Sequence, residues 1–308
     1  MGIKKRIFSD SYVKKLANAS QTQLVWYRLM RRFDARTAFI IIMIYCAIAL
    51  FVTLNIFSVQ ELARDYELST LAKNKFLPLF HSIMKPFGTD NFARNVLVRA
   101  IVGTQISIFL GMLSGLLMLP IAIVLGSIAG YYGKIVDSIV IYIMGVIISI
   151  PGMLIILSLT KIIGSSYFTI AFAFAITGWV GLARVIRGSV LQNKEQEYVL
   201  AARNLGASDF RIMFLHILPN ITHFAILSFV LNFIRIIKSE TFLAYIGLSV
   251  IGVPTWGTMI SNASSEIVNN QWQNLVGATL FMFVFLLALN VFGDAVRDVL
   301  DPKLKNRS

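Results

Sequence analysis

Residues 100–133 read AIVGTQISIFLGMLSGLLMLPIAIVLGSIAGYYG and contain no charged side chain. In lipid every backbone polar group must be hydrogen-bonded within the protein, so this run is predicted to be helical. At 1.5 Å per residue such a helix exceeds the hydrocarbon core of a bilayer by about 20 Å. The run therefore predicts either one long tilted helix or a spanning helix with an interfacial extension, with Pro120 as a candidate for a kink.

The rest of the chain is similarly apolar. Hydrophobic residues make up 57% of the 308 residues and charged residues 14%, and the mean hydropathy is +0.74. This is more apolar surface than one soluble core of this size can bury, so the chain is predicted to be an integral membrane protein. Further apolar runs are interpreted as spanning helices at 37–57, 138–160, 168–183, 221–234 and 273–293. Pro151 and Gly152 are predicted to break the second of these runs.

The uncharged run 241–265 is interpreted differently. Its Pro254, Gly252 and several serines are typical of a bent segment that is external or partly inserted. If this run crossed the membrane, the basic C-terminal residues would lie outside, against the positive-inside rule. The predicted fold is therefore all-α, with six transmembrane helices and both termini in the cytoplasm. Trp256 and Trp272 are then expected to be anchors at the outer membrane interface.

The positive charge is concentrated before the first span. The formal net charge is +13, and residues 1–36 hold nine basic and two acidic side chains. This distribution places the N-terminal segment in the cytoplasm, against anionic lipid headgroups, and argues against a nucleic-acid partner. No cleavage site follows the first apolar run, which is therefore expected to be retained. Cys46, the only cysteine, lies within that run, so no internal disulfide can form.

These assignments divide the chain into segments. They are a basic cytoplasmic tail (1–36), the first transmembrane helix (37–57), an extracytoplasmic segment (58–99), a transmembrane domain (100–294) with a cytoplasmic loop (188–220), and a cytoplasmic C-terminal tail (295–308). Within the domain, the glycine pairs 111 and 115, and 126 and 130, are predicted to let helices approach closely.

One stretch inside this apolar chain is polar and amphipathic, residues 197–220, EYVLAARNLGASDFRIMFLHILPN. Periodicity predicts a helix over 195–204, with Gly206 as its C-terminal stop. Ser208 is predicted to cap a second helix that begins at the next residue. That helix is expected to end near Pro219, because a proline in a helix interior removes a backbone hydrogen bond.

The first of these two helices has a shape suited to close contact. The small side chains of Ala201 and Ala202 beside Arg203 are typical of a helix that enters a cleft of another protein. An ordinary amphipathic interface helix has the same pattern, and the residues alone do not separate the two interpretations.

AARNLGAS followed by HILPN resembles the EAA loop of the membrane subunits of binding-protein-dependent ABC importers, in the form typical of peptide permeases. In that family the loop carries a coupling helix that docks on the ATPase subunit. Leu200 stands where the family has the glutamate that gives the motif its name, so no acidic contact is expected there, and Glu197 lies one turn earlier. The resemblance implies ATPase-coupling roles for Glu197, Leu200, Ala201, Ala202, Arg203, Gly206, Ala207, Ser208, His216 and Pro219.

Three other stretches resemble the same family. PFGTD at 86–90 is similar to the segment before the second span in the C-type subunits of oligopeptide and dipeptide permeases, although Ala-Arg-Asn at 93–95 replaces the usual Gly-Arg-Asp. ETFLAYIGLSVIGVPTWGTMISNA at 240–263 matches a family pattern that begins with glutamate, contains a Trp-Gly pair after a proline and ends in alanine. GDAVRDVLDP at 293–302 resembles the family's C-terminus. The resemblance implies the type I ABC importer transmembrane fold.

The resemblance also implies partners. They are a homologous second permease subunit that completes the pathway, two ABC ATPase subunits, an extracytoplasmic solute-binding protein and a peptide substrate, in a bacterial cytoplasmic membrane. Within the family, nickel or another solute is the alternative substrate. A gradient-driven carrier is the alternative from a different class, in which Glu240 would have to serve as the intramembrane carboxylate relay.

No enzymatic, cofactor or metal chemistry is expected in this chain. Gly133-Lys134 is followed by Ile135 and lacks the first glycine of a Walker A loop, so ATP hydrolysis is expected in separate subunits. His216 and His223 are seven residues apart with no partner cysteine or acid cluster, and are not expected to bind a metal.

Three ionisable residues, Arg235, Lys238 and Glu240, fall near the predicted outer end of the fifth span. Ionisable groups within a membrane usually face a cavity or a partner, so one interpretation places these residues along the translocation path. In the alternative, both basic side chains extend to the interface and Glu240 pairs locally. The residues alone do not separate these interpretations.

Overall fold

The structure of this chain is a computed structural model, which describes residues 21–54, 76–80, 82–83, 85–250 and 252–300. The predicted tail up to residue 20, residues 55–75 and the C-terminal tail from 301 lie outside the described residues. The described part is all-α, as predicted, with two isolated bridges and no strand. Its helices are α1 (Gln21–Arg31), α2 (Phe33–Thr53), α3 (Val96–Tyr132), α4 (Lys134–Ser149), α5 (Gly152–Ile163), α6 (Tyr167–Asn193), α7 (Glu197–Asn204), α8 (Asp209–Arg211), a π-helical turn (Ile212–Ile217), α9 (Leu218–Tyr245), α10 (Trp256–Glu266), a 3₁₀ turn (Ile267–Asn269) and α11 (Gln273–Leu300).

The described residues provide between four and six membrane spans. By length and composition, α2, α3, α6 and α11 can each cross a bilayer. α4 and α5 form a pair bent by 76°, and the segments 209–222 and 224–245 form a second pair bent by 59°. Counting each bent pair as one span gives six, which is the predicted number.

The two ends of the described chain lie side by side. Arg32, which precedes α2, forms an ion pair of 2.8 Å with Asp298 near the end of α11. Beneath this pair, Leu29 and Ala35 are buried against Val296. Residues 32 and 298 therefore occupy the same end of the helix bundle.

The central helix of the bundle is α3. It is 37 residues long, which corresponds to about 55 Å, and it contains Pro120 without ending there. Asn95 caps its start, with a side-chain oxygen that accepts a hydrogen bond from the N–H of Leu97 at 3.0 Å. The uncharged run is therefore one continuous helix up to residue 132, as both predicted alternatives require.

Both glycine pairs of α3 lie at close contacts, as predicted. A Cβ atom on Gly126 or Gly130 would come within 2.7 Å of a backbone carbonyl oxygen of α6. On Gly115 it would lie 2.2 Å from the ring of Phe229 in α9. On Gly111 it would lie 2.6 Å from the ring of Phe233 in the same helix. One pair therefore lets two backbones approach, whereas the other makes room for two aromatic rings.

Gly115→Ala is expected to destabilise the purified protein by about 1–3 kcal/mol, because the new Cβ displaces the Phe229 ring from a packed site. Thermal unfolding in detergent measures this change, and Phe229→Leu in the same chain should restore most of the stability. The control is Gly145→Ala in α4, where an added Cβ meets nothing within 4 Å. Equal melting temperatures for Gly115→Ala and Gly145→Ala would contradict the packing described here.

The predicted break at Pro151 is confirmed. Ile150 has extended backbone angles (φ −96°, ψ 128°) between α4 and α5, and the two helices meet at 76°. The cause is local, because the proline ring clashes with a preceding residue in helical conformation and also lacks a hydrogen-bond donor.

The prediction that the second helix of the 197–220 stretch ends near Pro219 is wrong. α8 runs directly into the π-helical turn Ile212–Ile217, and α9 begins at Leu218 with the proline in its first turn. A missing N–H is tolerated in a first turn, and the π-helical hydrogen bonds let the α-helix restart just before the proline. The helical segment therefore bends near this point and continues, instead of ending there.

Trp256 is a core residue, so the expectation that it anchors the outer membrane interface is wrong. It is fully buried, its indole N–H donates to the Ala100 carbonyl at 3.0 Å, and its ring packs against Tyr45 and Phe285. The physical reason is that α10 folds back onto α3, α9 and α11. Trp272 is 48% exposed, which is compatible with the predicted anchor.

A buried polar network fixes the segment before α3 to α10 and α11. The buried Asp90 carboxylate pairs with the Arg94 guanidinium at 2.7 Å. Glu266 accepts hydrogen bonds from the Asn274 amide at 2.9 Å and from the Asn91 N–H at 3.3 Å. Burial raises the pKa of Glu266, and the hydrogen bond from Asn274 opposes that rise. The PFGTD segment is therefore a fixed part of this end of the molecule.

Candidate functional site

The 197–220 stretch lies at the end of α3 that is remote from Trp256. The hydroxyl of Tyr131, near the end of α3, donates to the Asp209 carboxylate at 2.6 Å, and Arg203 donates to the same hydroxyl oxygen at 3.3 Å. Trp256 instead contacts Ala100, about 45 Å away along the helix. The stretch and α10 therefore occupy opposite ends of the bundle.

α7 ends in a Schellman motif at Gly206. The N–H of Gly206 donates to the Arg203 carbonyl at 3.0 Å, and that of Ala207 donates to the Ala202 carbonyl at 3.1 Å. Gly206 has φ +80°, which glycine adopts without strain. The Ser208 side chain then accepts a hydrogen bond from a backbone N–H of the next helix at 3.4 Å. The predicted stop and the predicted cap are both present, so the stretch is a helical hairpin.

One face of this hairpin packs on the membrane helices. Val199 is fully buried, and Ala202 and Ala207 are half-buried against a cluster that includes Ile212 and Ile217. Ala201, by contrast, is exposed. The two alanines predicted to enter a cleft together thus point to different sides, since Ala202 contacts the protein's own core.

The opposite face carries exposed apolar side chains. Leu205 is 88% exposed, Phe210 67% and Leu200 44%. Phe210 is oriented by the ring of Phe214, with 4.5 Å between ring centroids. We call Leu200, Leu205 and Phe210 the apolar tip. Exposed apolar side chains grouped at a turn are typical of a protein contact site.

The remaining predicted coupling residues are spread around the hairpin. Glu197, Arg203, Ser208 and Pro219 are exposed, and His216 is half-buried in the π-helical turn. Sequence reasoning missed Leu205 and Phe210, because the family motif singles out the small and polar positions. Leu205 could have been found from the sequence, because it is an apolar residue next to a glycine in a predicted surface turn, where polar residues are usual.

The helices beneath the hairpin are joined by a bidentate ion pair. The Arg187 guanidinium in α6 donates to both carboxylate oxygens of Asp137, in the first turn of α4, at 2.5 and 2.6 Å. Both side chains are about a quarter exposed or less, at 27% and 18%. This pair ties the bent α4–α5 unit to the helix that leads into the hairpin.

The three predicted path residues do not converge on one site. All lie on α9, but Arg235 and Lys238 are exposed whereas Glu240 is 2% exposed. Among the described residues, no hydrogen-bond partner is found for either carboxylate oxygen of Glu240. Arg235 alone of the three lines a cavity of about 250 Å³ between α3, α5, α6 and α9.

Comparison with known proteins identifies relatives over almost the whole chain. Residues 122–306 match the family described as binding-protein-dependent transport system inner membrane component. The oligopeptide transport system permease protein OppC of Bacillus subtilis is 36% identical over 91% of this chain and 90% of its own length. The dipeptide transport system permease protein DppC of the same organism is 38% identical over 71% of this chain and 69% of its own length. The glutathione transport system permease protein GsiD of Pectobacterium atrosepticum is 34% identical over 71% of this chain and 73% of its own length.

These matches agree with the molecule's architecture. The family match includes the end of α3, both bent pairs, the hairpin and the last span. The hairpin has the glycine turn and the serine cap that its own sequence predicted, and the glycine stands where the resembling EAA loops have one. The chain belongs to the binding-protein-dependent transport system inner membrane components and is a permease of the OppC/DppC type.

Proposed function

We propose that this chain is a membrane permease subunit of an ATP-driven peptide importer. It forms half of the translocation path, and separate ATPase subunits hydrolyse ATP. The proposal is supported by relatives that are named oligopeptide, dipeptide and di/tripeptide permeases. The relatives named glutathione permeases fit the same substrate class, because glutathione is itself a small peptide-like molecule.

The observation that carries the coupling role is the braced hairpin with its apolar tip. Leu205 and Phe210 are exposed, whereas Val199 and the Tyr131–Asp209 hydrogen bond hold the hairpin to the membrane helices. A rigid projection of this kind would transmit a movement of an ATPase subunit to α3 and α9, because the hairpin itself does not change shape. Rigid-body movement of these helices would then open the path alternately to either side.

The proposal extends to the other partners. α4 and α5 bury few side chains within this chain, namely Val140, Met144, Ile156 and Thr160, and expose most of their apolar surface. Such a face is suited to the homologous second permease subunit or to lipid. The solute-binding protein would dock at the other end, where the Asp90 and Glu266 network fixes the surface.

Cysteine labelling tests the proposed orientation. In a Cys46→Ser background, Leu205→Cys should be cross-linked to an ATPase subunit and should react with a membrane-impermeant maleimide only after the cells are permeabilised. Val268→Cys, whose side chain is 83% exposed at the remote end, should react in intact cells. Labelling of both positions from the external medium would contradict six spans with a cytoplasmic hairpin.

A further inference from the structure

The cavity beside α9 lies deep in the apolar part of the molecule. Met118, which lines it, is more than 20 residues from the start of α3 and 14 from its end, or about 33 and 21 Å. Gly152 and Met153, at the break between α4 and α5, form another part of its wall. Broken helices at this depth are typical of the walls of substrate pathways.

The chemistry of the cavity is that of an anion site. Arg235 is the charged group among the described lining residues, and it is accompanied by the polar side chains of Asn232, Thr177 and Ser239. The ion pairs among the described residues do not include Arg235. A guanidinium has only hydrogen-bond donors and a planar fork that matches a carboxylate. A ligand that complements the cavity is therefore a negatively charged hydrogen-bond acceptor.

In the alternative interpretation, the Arg235 side chain extends to the membrane interface at the end of α9. The position of Arg235 on the helix argues against this. Arg235 lies ten residues before the end of α9, which is about 15 Å and more than an arginine side chain spans. Glu240 does not neutralise it either, because that carboxylate is buried and is not among the cavity's lining residues.

We propose that Arg235 binds the C-terminal carboxylate of the peptide during its passage through the membrane. This inference rests on the proposed function. The volume of about 250 Å³ is below that of sites that hold a whole drug-sized ligand, so the cavity accommodates one end of a peptide and leaves its length unrestricted. Every linear peptide has the same terminal carboxylate, so one arginine serves substrates of differing sequence.

Uptake by proteoliposomes containing the complete transporter tests this proposal. The probes are an alanine tripeptide with a free carboxylate and the same tripeptide as its C-terminal amide, each at a concentration that saturates the solute-binding protein. Arg235→Gln should slow uptake of the free acid by about 10-fold and leave uptake of the amide unchanged, because a charge-assisted hydrogen bond is lost only with the acid. Arg235→Lys, which keeps the charge, should recover part of the uptake of the acid. The binding protein is the same in every reaction, so its own preference cancels from the comparison between variants.

The matched control is Lys238→Gln, since Lys238 is an exposed cation on the same helix but does not line the cavity. It should leave the ratio of acid to amide uptake at the wild-type value. Equal slowing of acid and amide by Arg235→Gln would overturn the inference, and so would unchanged uptake of both. If the wild-type complex takes up neither peptide, the proposed function itself fails.

Discussion

Leu205→Asp is expected to reduce peptide uptake by about 100-fold while the amount of chain in the membrane stays unchanged. Leu205 is 88% exposed at the apolar tip and contributes little to the fold of this chain. If the tip sits in an apolar cleft of an ATPase subunit, a carboxylate there loses the contact and must also be desolvated. The measurements are uptake and peptide-stimulated ATP hydrolysis by the reconstituted complex, with membrane abundance measured by immunoblot.

The control for this variant is Val268→Asp, which places the same charge on a side chain that is 83% exposed at the other end of the bundle. It should leave the stimulated ATPase rate within about two-fold of wild type, as expected for a surface substitution. Normal ATPase stimulation in Leu205→Asp would show that the apolar tip is not the coupling contact.

Trp256→Ala is expected to cost about 3–5 kcal/mol of stability, the largest loss predicted for a single side chain here. The indole is fully buried, packs against Tyr45 and Phe285, and donates to the Ala100 carbonyl at 3.0 Å. Its removal leaves a cavity between α3, α10 and α11 that these helices cannot fill without shifting. The melting temperature of the detergent-purified protein measures the loss, and Trp256→Phe should lie between wild type and Trp256→Ala because it keeps most of the packing.

Trp272→Ala provides the comparison, because the same residue type is there 48% exposed. It should change the stability by about 0.5 kcal/mol or less. Similar melting temperatures for the two alanine variants would mean that α10 does not pack as described.

The sequence predicted those features whose causes are local. A proline forces the break before α5 wherever the rest of the chain lies, and Gly206 and Ser208 define the hairpin turn through their own backbone and side-chain preferences. The glycine pairs of α3 likewise indicate close contact without naming the partner helix.

The features that the sequence did not predict depend on neighbours distant in the chain. The two tryptophans look alike in sequence, and only the folding of α10 onto α3 separates a core residue from an exposed one. Pro219 was expected to end a helix, but it lies in the first turn of α9, directly after a π-helical turn. Helix periodicity separates Arg235 and Glu240, five residues apart, by about 140°, but which of the two faces the cavity appears only once α9 is packed.

α3 touches both ends of the molecule as one uninterrupted helix, with Ala100 held by Trp256 and Tyr131 held by Asp209. A rod about 55 Å long that pivots by about 5° at one end moves its other end by about 5 Å. A displacement of that size is comparable to a full helical turn and is enough to repack an interface. A tilt of α3 can therefore move the contacts at its two ends at the same time, without a relay of side-chain rearrangements between them.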